Sequence, residues 1–151
     1  MRERKQTEFE AIERDRCTAE LDLVVPFTTP ELTRVALNAA NSLGAGLKAN
    51  LRLLKVLVVP FPLDLNQSPV YLDFLKSQLA RFESELPLKR EIRLARELEP
   101  GLLSTLHRDS VVILASGKRL WRTRTERLAE SLRRAGHKVV LVSARKEAKD
   151  A

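Results

Sequence analysis

The sequence predicts an α/β fold, with a five-stranded parallel sheet between two layers of helices in a three-layer αβα sandwich. Short apolar segments alternate with amphipathic segments of helical period, and capping residues mark the helix starts. The length of 151 residues and the hydrophobic content of 44% suit one domain with a substantial core. This alternation implies parallel pairing through right-handed crossovers. We expect the strand order 3-2-1-4-5, which places a polar third strand at one edge, a short fifth strand at the other, and a switch point between the first and fourth strands.

The first βα unit carries the clearest signals. Residues Leu21–Val25 form an apolar strand, and the sequence FTTPEL follows directly. Thr29 has the side chain of an N-cap and Pro30 suits the first helical position. The helix face then consists of Leu32, Val35, Ala36, Ala39, Ala40 and Leu43, and either Gly44 or Gly46 supplies a left-handed stop.

The second and third strands differ in their polarity. Residues 51–59 (LRLLKVLVV) are apolar enough to be covered on both faces. A helix capped by Ser68 and Pro69 is predicted to continue to about Glu85. Residues 88–94 alternate between polar and apolar side chains, which is typical of an exposed edge strand. The apolar side of the helix is Leu72, Leu75, Leu79 and Phe82, and the polar side of the edge strand is Lys89, Glu91 and Arg93.

The last part of the chain supplies two more strands and two helices. Three leucines between residues 102 and 106 predict a short helix, and Val111–Ala115 is the fourth strand. Thr123 lies in capping-box spacing with a glutamate and begins the next helix, which Gly136 ends. Residues Lys138–Val142 form the fifth strand. The core side of the last helix is Thr125, Leu128, Ala129, Leu132 and Ala135.

The α/β domain is expected over residues 21–145, between a charged N-terminal arm (1–20) and a charged tail (146–151). The arm lacks the apolar centre of a secretory signal, and no run of about 18 apolar residues could span a bilayer. The single cysteine, Cys17, excludes an internal disulfide, as expected in the cytoplasm. With only two histidines, no metal site is expected.

The charge balance predicts anionic partners. Lys and Arg outnumber Asp and Glu by 27 to 20, which gives a formal charge of +7 and a pI near 10.0. Aromatic residues are only 5% of the chain, so few side chains could stack on bases. Nucleic acid is therefore not the expected partner.

The arrangement resembles the universal stress protein family, within the adenine nucleotide alpha hydrolase-like folds. The resemblance covers about residues 21 to 143 and is carried by LDLVVPFTTPELTRVALNAANSLGAGL, LRLLKVLVV, LLSTLHRDSVVILAS and HKVVLV. It implies a non-enzymatic regulatory domain of the stress response. It also implies a homodimer paired through the last strand, at Val139, Val140, Leu141 and Val142.

ATP-binding members of that family carry a G-x2-G-x9-G-[ST] run after the fourth strand. Here Ala115, Lys118 and Leu128 stand at the three glycine positions, and Ala129 stands at the Ser/Thr position. The Asp that commonly ends the first strand is replaced by the sequence PFTT. The chain thus resembles the branch that does not bind ATP in the usual way, and no cofactor is expected.

A basic loop after the fourth strand is the candidate binding site. Residues 118–134 contain seven basic and two acidic side chains, beside a predicted helix N-terminus. One interpretation is a site for ATP, AMP or another phosphate ligand; the other is a solvated basic helix face. Trp121, within the loop, could stack on a base or pack on the sheet edge. The proposed ligand contacts are Thr28, Ser116, Gly117, Lys118, Arg119, Arg122 and Thr123.

Catalysis is not predicted. Cys17 has no histidine near it in the sequence, and Ser116 has no evident base. The aspartates Asp64, Asp73 and Asp109 are scattered and lack the spacing of an acid/base pair. An alternative to a free-standing domain is the cytosolic portion of a membrane transporter, where similar domains occur as appendages.

Overall fold

Five parallel strands form one sheet in the order β3-β2-β1-β4-β5. The computed structural model describes residues 21–61, 63, 72–117 and 124–144. The predicted fold class and strand order are both confirmed. The strands are β1 (Leu21–Pro26), β2 (Ala49–Val58), β3 (Leu88–Ala95), β4 (Val111–Ser116) and β5 (Lys138–Ser143).

The described helices cover both faces of the sheet and complete the three layers. On one face, the first two helices pack against a core cluster that contains Leu23 and Leu51. On the other face, the last two helices pack against a cluster that contains Val24 and Leu54. The helices are α1 (Pro30–Gly44), α2 (Leu72–Ala80), α3 (Leu98–Leu103) and α4 (Arg124–Arg134).

The N-terminus of α1 is capped as the sequence predicts. The Thr29 side chain accepts a hydrogen bond from the Leu32 amide at 3.2 Å, and Pro30 is the first helical residue. Of the two glycines that could end the helix, Gly46 has the left-handed conformation, with φ of 76°. Gly44 is buried instead, where an added Cβ would approach the Leu86 side chain to 2.6 Å.

The predicted end of the second helix is wrong. α2 ends at Ala80 rather than near Glu85, and its predicted start at Ser68 and Pro69 lies outside the described residues. Arg90 explains the early end, because its guanidinium reaches across from β3 and donates to two backbone carbonyls at the end of the helix. Those carbonyls belong to Leu79 (3.0 Å) and Phe82. Phe82 is still buried, in the turn after the helix.

The helix α3 begins and ends earlier in the chain than the predicted leucines between residues 102 and 106. It spans Leu98–Leu103 and does not include Leu106, because the next two side chains bond back to its last carbonyls. The Ser104 hydroxyl donates to the Gly101 carbonyl at 2.7 Å, and the Thr105 hydroxyl donates to the Leu102 carbonyl at 2.8 Å. The short helix leaves part of this face of β3 uncovered.

The helix α4 buries the predicted apolar stripe with one exception. Its buried residues include Leu128 and Leu132, but the predicted member Ala135 lies beyond the helix end and is exposed. Gly136 ends the helix with a φ of 93°, as predicted.

Gly101 is the point of closest contact between α3 and the sheet. A Cβ added there would lie 2.5 Å from Ala95 Cβ and 2.9 Å from Val56 Cγ1. We predict that Gly101→Ala destabilises the protein by about 1–3 kcal/mol through overpacking. This loss exceeds the gain of at most ~1 kcal/mol from the better helix propensity of alanine. Urea unfolding followed by circular dichroism measures the difference.

The matched control is Gly117→Ala, since an added Cβ there meets nothing within 4 Å. We expect it to change stability by less than about 0.5 kcal/mol. Equal unfolding midpoints for the two variants would contradict the tight contact at Gly101.

Candidate functional site

The carboxyl ends of β1 and β4 lie side by side at the predicted crevice. These strands pair in register at Leu23 with Val111 and at Val24 with Val112. Thr28 follows the carboxyl end of β1 and is half-buried, and Ser116 is buried as the last residue of β4. Both predicted contacts thus lie at the carboxyl edge of the sheet, and Gly117 directly follows Ser116.

Four of the seven predicted ligand contacts, and Trp121, fall outside the described residues. They are Lys118, Arg119, Arg122 and Thr123. The described part of the crevice has room beside Gly117, where an added Cβ would meet no heavy atom within 4 Å. The first turn of α4 follows with Arg124 and Glu126.

On the α1 side of the crevice, hydrogen bonds within the protein already use the Thr28 amide and the Thr29 hydroxyl. The backbone amide of Thr28 donates to the Thr33 hydroxyl at 3.1 Å, and Thr33 is 1% exposed. The Thr29 hydroxyl caps the Leu32 amide, and Glu31 adds a negative charge in the first turn of α1. A phosphate in this crevice would thus depend on the β4 side.

Sequence reasoning missed a polar network at the opposite, amino end of the sheet. The Arg52 guanidinium makes a bidentate pair with Asp22, through Nε to Oδ1 at 3.0 Å and Nη2 to Oδ2 at 2.8 Å. Its Nη1 donates to the Thr105 carbonyl at 3.0 Å. The Ser110 hydroxyl donates to Asp22 Oδ2 at 2.5 Å and accepts from the His107 amide at 2.9 Å. The network ties β1 and β2 to the loop before β4.

Burial makes this network important for stability. The side chains of Arg52 and Asp22 are only 11% and 23% exposed, and Ser110 is fully buried. Burial by itself would raise the pKa of Asp22, but hydrogen bonds from Arg52 and Ser110 and the Arg52 charge together hold that pKa below its ordinary value. Asp22 is therefore ionised at neutral pH and compensates the Arg52 charge.

A polar groove lies beside this network, on the face of β3 that the short helix α3 leaves uncovered. Its volume is about 480 Å³. An adjoining cavity of about 360 Å³ shares Arg52, Lys89 and His107 with it. We call the groove of about 480 Å³ the amino-end groove. Its principal polar side chains are Arg52, Lys89, Glu91, Arg93, Ser104 and His107.

The signal for this network was the presence of charged residues inside apolar strands. Asp22 interrupts LDLVV, and Arg52 interrupts LRLLKV. The parallel register pairs Asp22 with Asn50, so Arg52 lies two residues further along β2 and on the same face. Only that register shows that the two charges meet.

The two edges of the sheet differ in chemistry. In β5, the predicted dimer residues Val139, Val140, Leu141 and Val142 are all half-buried, because their apolar side chains pack inward onto both core clusters. Arg133 Nη2 donates to the Val139 carbonyl at 3.0 Å. The opposite edge, β3, carries Lys89, Arg90, Glu91 and Arg93.

Within the part of the chain that the structure describes, no group of three His, Cys, Asp or Glu side chains could hold a metal ion. No helix among those residues has both the length and the apolar content needed to cross a membrane. No known protein family matches this chain, and comparison with curated proteins finds no similar sequence.

We predict that Asp22→Asn destabilises the protein by about 2–4 kcal/mol, because it removes the bidentate partner of Arg52 in a largely buried site and leaves only the more distant Glu91 carboxylate, 3.7 Å from Arg52 Nη1. The control is Asp109→Asn in the same loop, an exposed carboxylate that we expect to contribute less than about 1 kcal/mol. Urea unfolding at neutral pH measures both. Equal losses in the two variants would contradict a special role for Asp22.

The pH dependence tests the same carboxylate. Because the pKa of Asp22 is lower in the folded state than its ordinary value of 3.8, its stabilisation is complete above 3.8 and is lost as the pH falls through the folded-state pKa. The stability difference between wild type and Asp22→Asn should therefore be constant near neutral pH and shrink below about pH 4. A difference that stays constant into acid would contradict this assignment.

Proposed function

We propose that this chain is a non-enzymatic regulatory and interaction domain of the universal stress protein type. In this proposal it acts as a homodimer and does not bind ATP in the way usual for that family. The observation that carries the proposal is the parallel sheet in the order β3-β2-β1-β4-β5 that ends in an apolar edge strand. A cytoplasmic location, and the alternative of a cytosolic portion of a membrane transporter, remain predictions.

The contrast between the edges favours association through β5. Charged side chains on an edge strand discourage pairing with another chain, and β3 has four of them in eight residues. In β5, four successive residues from Val139 to Val142 are apolar. Because β5 can pair with another subunit and the charges on β3 discourage pairing, a closed dimer is favoured over an open chain of subunits.

An isologous pair would place two β5 strands antiparallel about a two-fold axis. Such a pair extends the sheet across both subunits and gives the outer backbone groups of β5 hydrogen-bond partners. The Arg133 guanidinium now bonded to the Val139 carbonyl would exchange that contact for one with the partner strand or with solvent.

We predict that wild-type protein is a dimer at micromolar concentrations and that Val140→Lys weakens it at least tenfold, or about 1.4 kcal/mol. Two lysines would face each other across the paired strands, and like charges in such positions repel. Size exclusion with light scattering over a dilution series measures the dissociation constant, and circular dichroism checks that the variant is folded.

The control for this experiment is Val58→Lys, at the exposed end of β2 and 42% exposed in the wild type. It introduces the same charge and should leave the dimer intact. A wild type that is monomeric throughout, or equal weakening by both variants, would contradict pairing through β5.

A second candidate function is the binding of a nucleotide or other phosphorylated molecule at the carboxyl ends of β1 and β4. The observation that favours it is the open space beside Gly117, next to Ser116 and before the first turn of α4. Loop amides and a helix N-terminus in such a position attract anions.

For this second function, a ligand at 100 times its dissociation constant should stabilise the protein by about 2.7 kcal/mol. Thermal unfolding at low salt with ATP, AMP, cyclic dinucleotides and polyphosphate measures this stabilisation. Ser116→Ala, which removes only the hydroxyl, should reduce the shift. Unchanged melting temperatures with all four ligands would rule out this function.

A further inference from the structure

We infer that the amino-end groove binds a small phosphate-bearing polyol, such as a sugar monophosphate. The groove lies at the end of the sheet opposite the crevice considered above and is independent of the dimer. Its volume of about 480 Å³ is within the range of about 300–1,000 Å³ found for small-molecule sites.

Among the residues that the structure describes, one cation of the groove, Arg93, has no counter-ion. Arg52 is paired with Asp22, and Lys89 Nζ lies 3.3 Å from Glu91 Oε1. Arg93 makes no hydrogen bond or ion pair with any other residue that the structure describes. Its forked N–H donors match the oxygens of a phosphate, so we assign the phosphate to the Arg93 end of the groove.

The negative charge of Glu91 restricts the chemistry of the part of the ligand that lies beyond the phosphate. Its carboxylate lies near Lys89 and also 3.7 Å from Arg52 Nη1, and it would repel a second anionic group. A carboxylate is a strong acceptor, however, and the hydroxyl groups of a polyol are donors that fit it. The Ser104 hydroxyl, which donates to the Gly101 carbonyl, also lines the groove and can accept a hydrogen bond from a ligand hydroxyl.

The floor of the groove is held rigidly by the network around Arg52. Its guanidinium is fixed by the bidentate pair with Asp22 and by the Thr105 carbonyl, and Ser110 fixes Asp22 in turn. A rigid polar floor reduces the ordering that a ligand would otherwise require of the protein. The described lining residues of the groove include no Phe, Tyr or Trp, so His107 is the one aromatic ring among them that could stack on a base.

The test is titration of the protein with ribose 5-phosphate, ribose and inorganic phosphate, followed by amide chemical shifts in NMR spectra. We expect saturable shifts with ribose 5-phosphate at Arg93, Ser104 and His107, and not at Ser116 and Gly117. Ribose should not bind measurably up to about 10 mM, because it lacks the charged group that Arg93 recognises.

Two variants and a matched control sharpen the test. Arg93→Gln should weaken ribose 5-phosphate at least tenfold, the effect typical of losing a charge-assisted hydrogen bond. Glu91→Gln should strengthen the binding of inorganic phosphate, because it removes a nearby negative charge. It should also reduce the preference for ribose 5-phosphate over inorganic phosphate, because it removes the carboxylate that accepts from the ribose hydroxyls. The control, Arg34→Gln, removes the same charge from an exposed position on α1, which covers the other face of the sheet, and should not change binding.

Four results would overturn the proposal. They are no saturation by ribose 5-phosphate, equal binding of ribose, equal weakening by Arg93→Gln and Arg34→Gln, and shifts confined to the crevice at Ser116 and Gly117. The last result would support the second candidate function while rejecting the groove. The oligomeric state measured by light scattering is a separate readout, so failure of the dimer proposal would leave this test unaffected.

Discussion

The burial of β1 on both faces and both edges is the constraint on which the fold depends. Leu23, Val24 and Val25 are at most 1% exposed, and β2 and β4 pair with β1 on either side. A parallel strand in this position requires each following strand to return by a crossover, which places helices over both faces of the sheet. Because all the strands run in the same direction, the two ends of the sheet also differ from each other. The carboxyl ends of β1 and β4 open into a crevice. At their amino ends, any polar side chain that enters the core needs a hydrogen-bond partner within the protein.

The polar network at the amino end follows from that same burial. A charged side chain in the central strands is tolerated only if it is paired and hydrogen-bonded, and Asp22 meets both conditions through Arg52 and Ser110. The network fixes the loop that leads into β4 and therefore the register of that strand. It also shapes the floor of the groove beneath α3. One arrangement of charges thus serves the stability of the fold and forms a rigid polar surface beside the exposed face of β3.

The two edge strands of the sheet differ in polarity, and this difference bears on the proposed association of the protein. β3 carries charged side chains along its length, with Arg90 committed to the end of α2. β5 is apolar, and a single guanidinium, from Arg133, meets its Val139 carbonyl. An assembly that uses one edge closes on itself, whereas one that uses both would grow without limit. This difference in charge between the two edges is the basis of the proposed dimer through β5.

Local patterns were sufficient to predict the N-cap at Thr29, the turn at Gly136 and the polarity of β3, because periodicity and capping are properties of neighbouring residues. The strand order needed more: the rules for parallel crossovers, and the placing of the polar third strand at one edge of the sheet. The ends of α2 and α3 could not be predicted. Arg90 shortens α2 from another strand, and the two hydroxyls that close α3 act only once its carbonyls are in place. The sequence indicated that the candidate crevice lies at the ends of β1 and β4. It did not show that the Thr28 amide already donates a hydrogen bond to the Thr33 hydroxyl. The amino-end groove was invisible to sequence reasoning, because its residues lie on separate strands and loops that only the parallel register and the short α3 bring together.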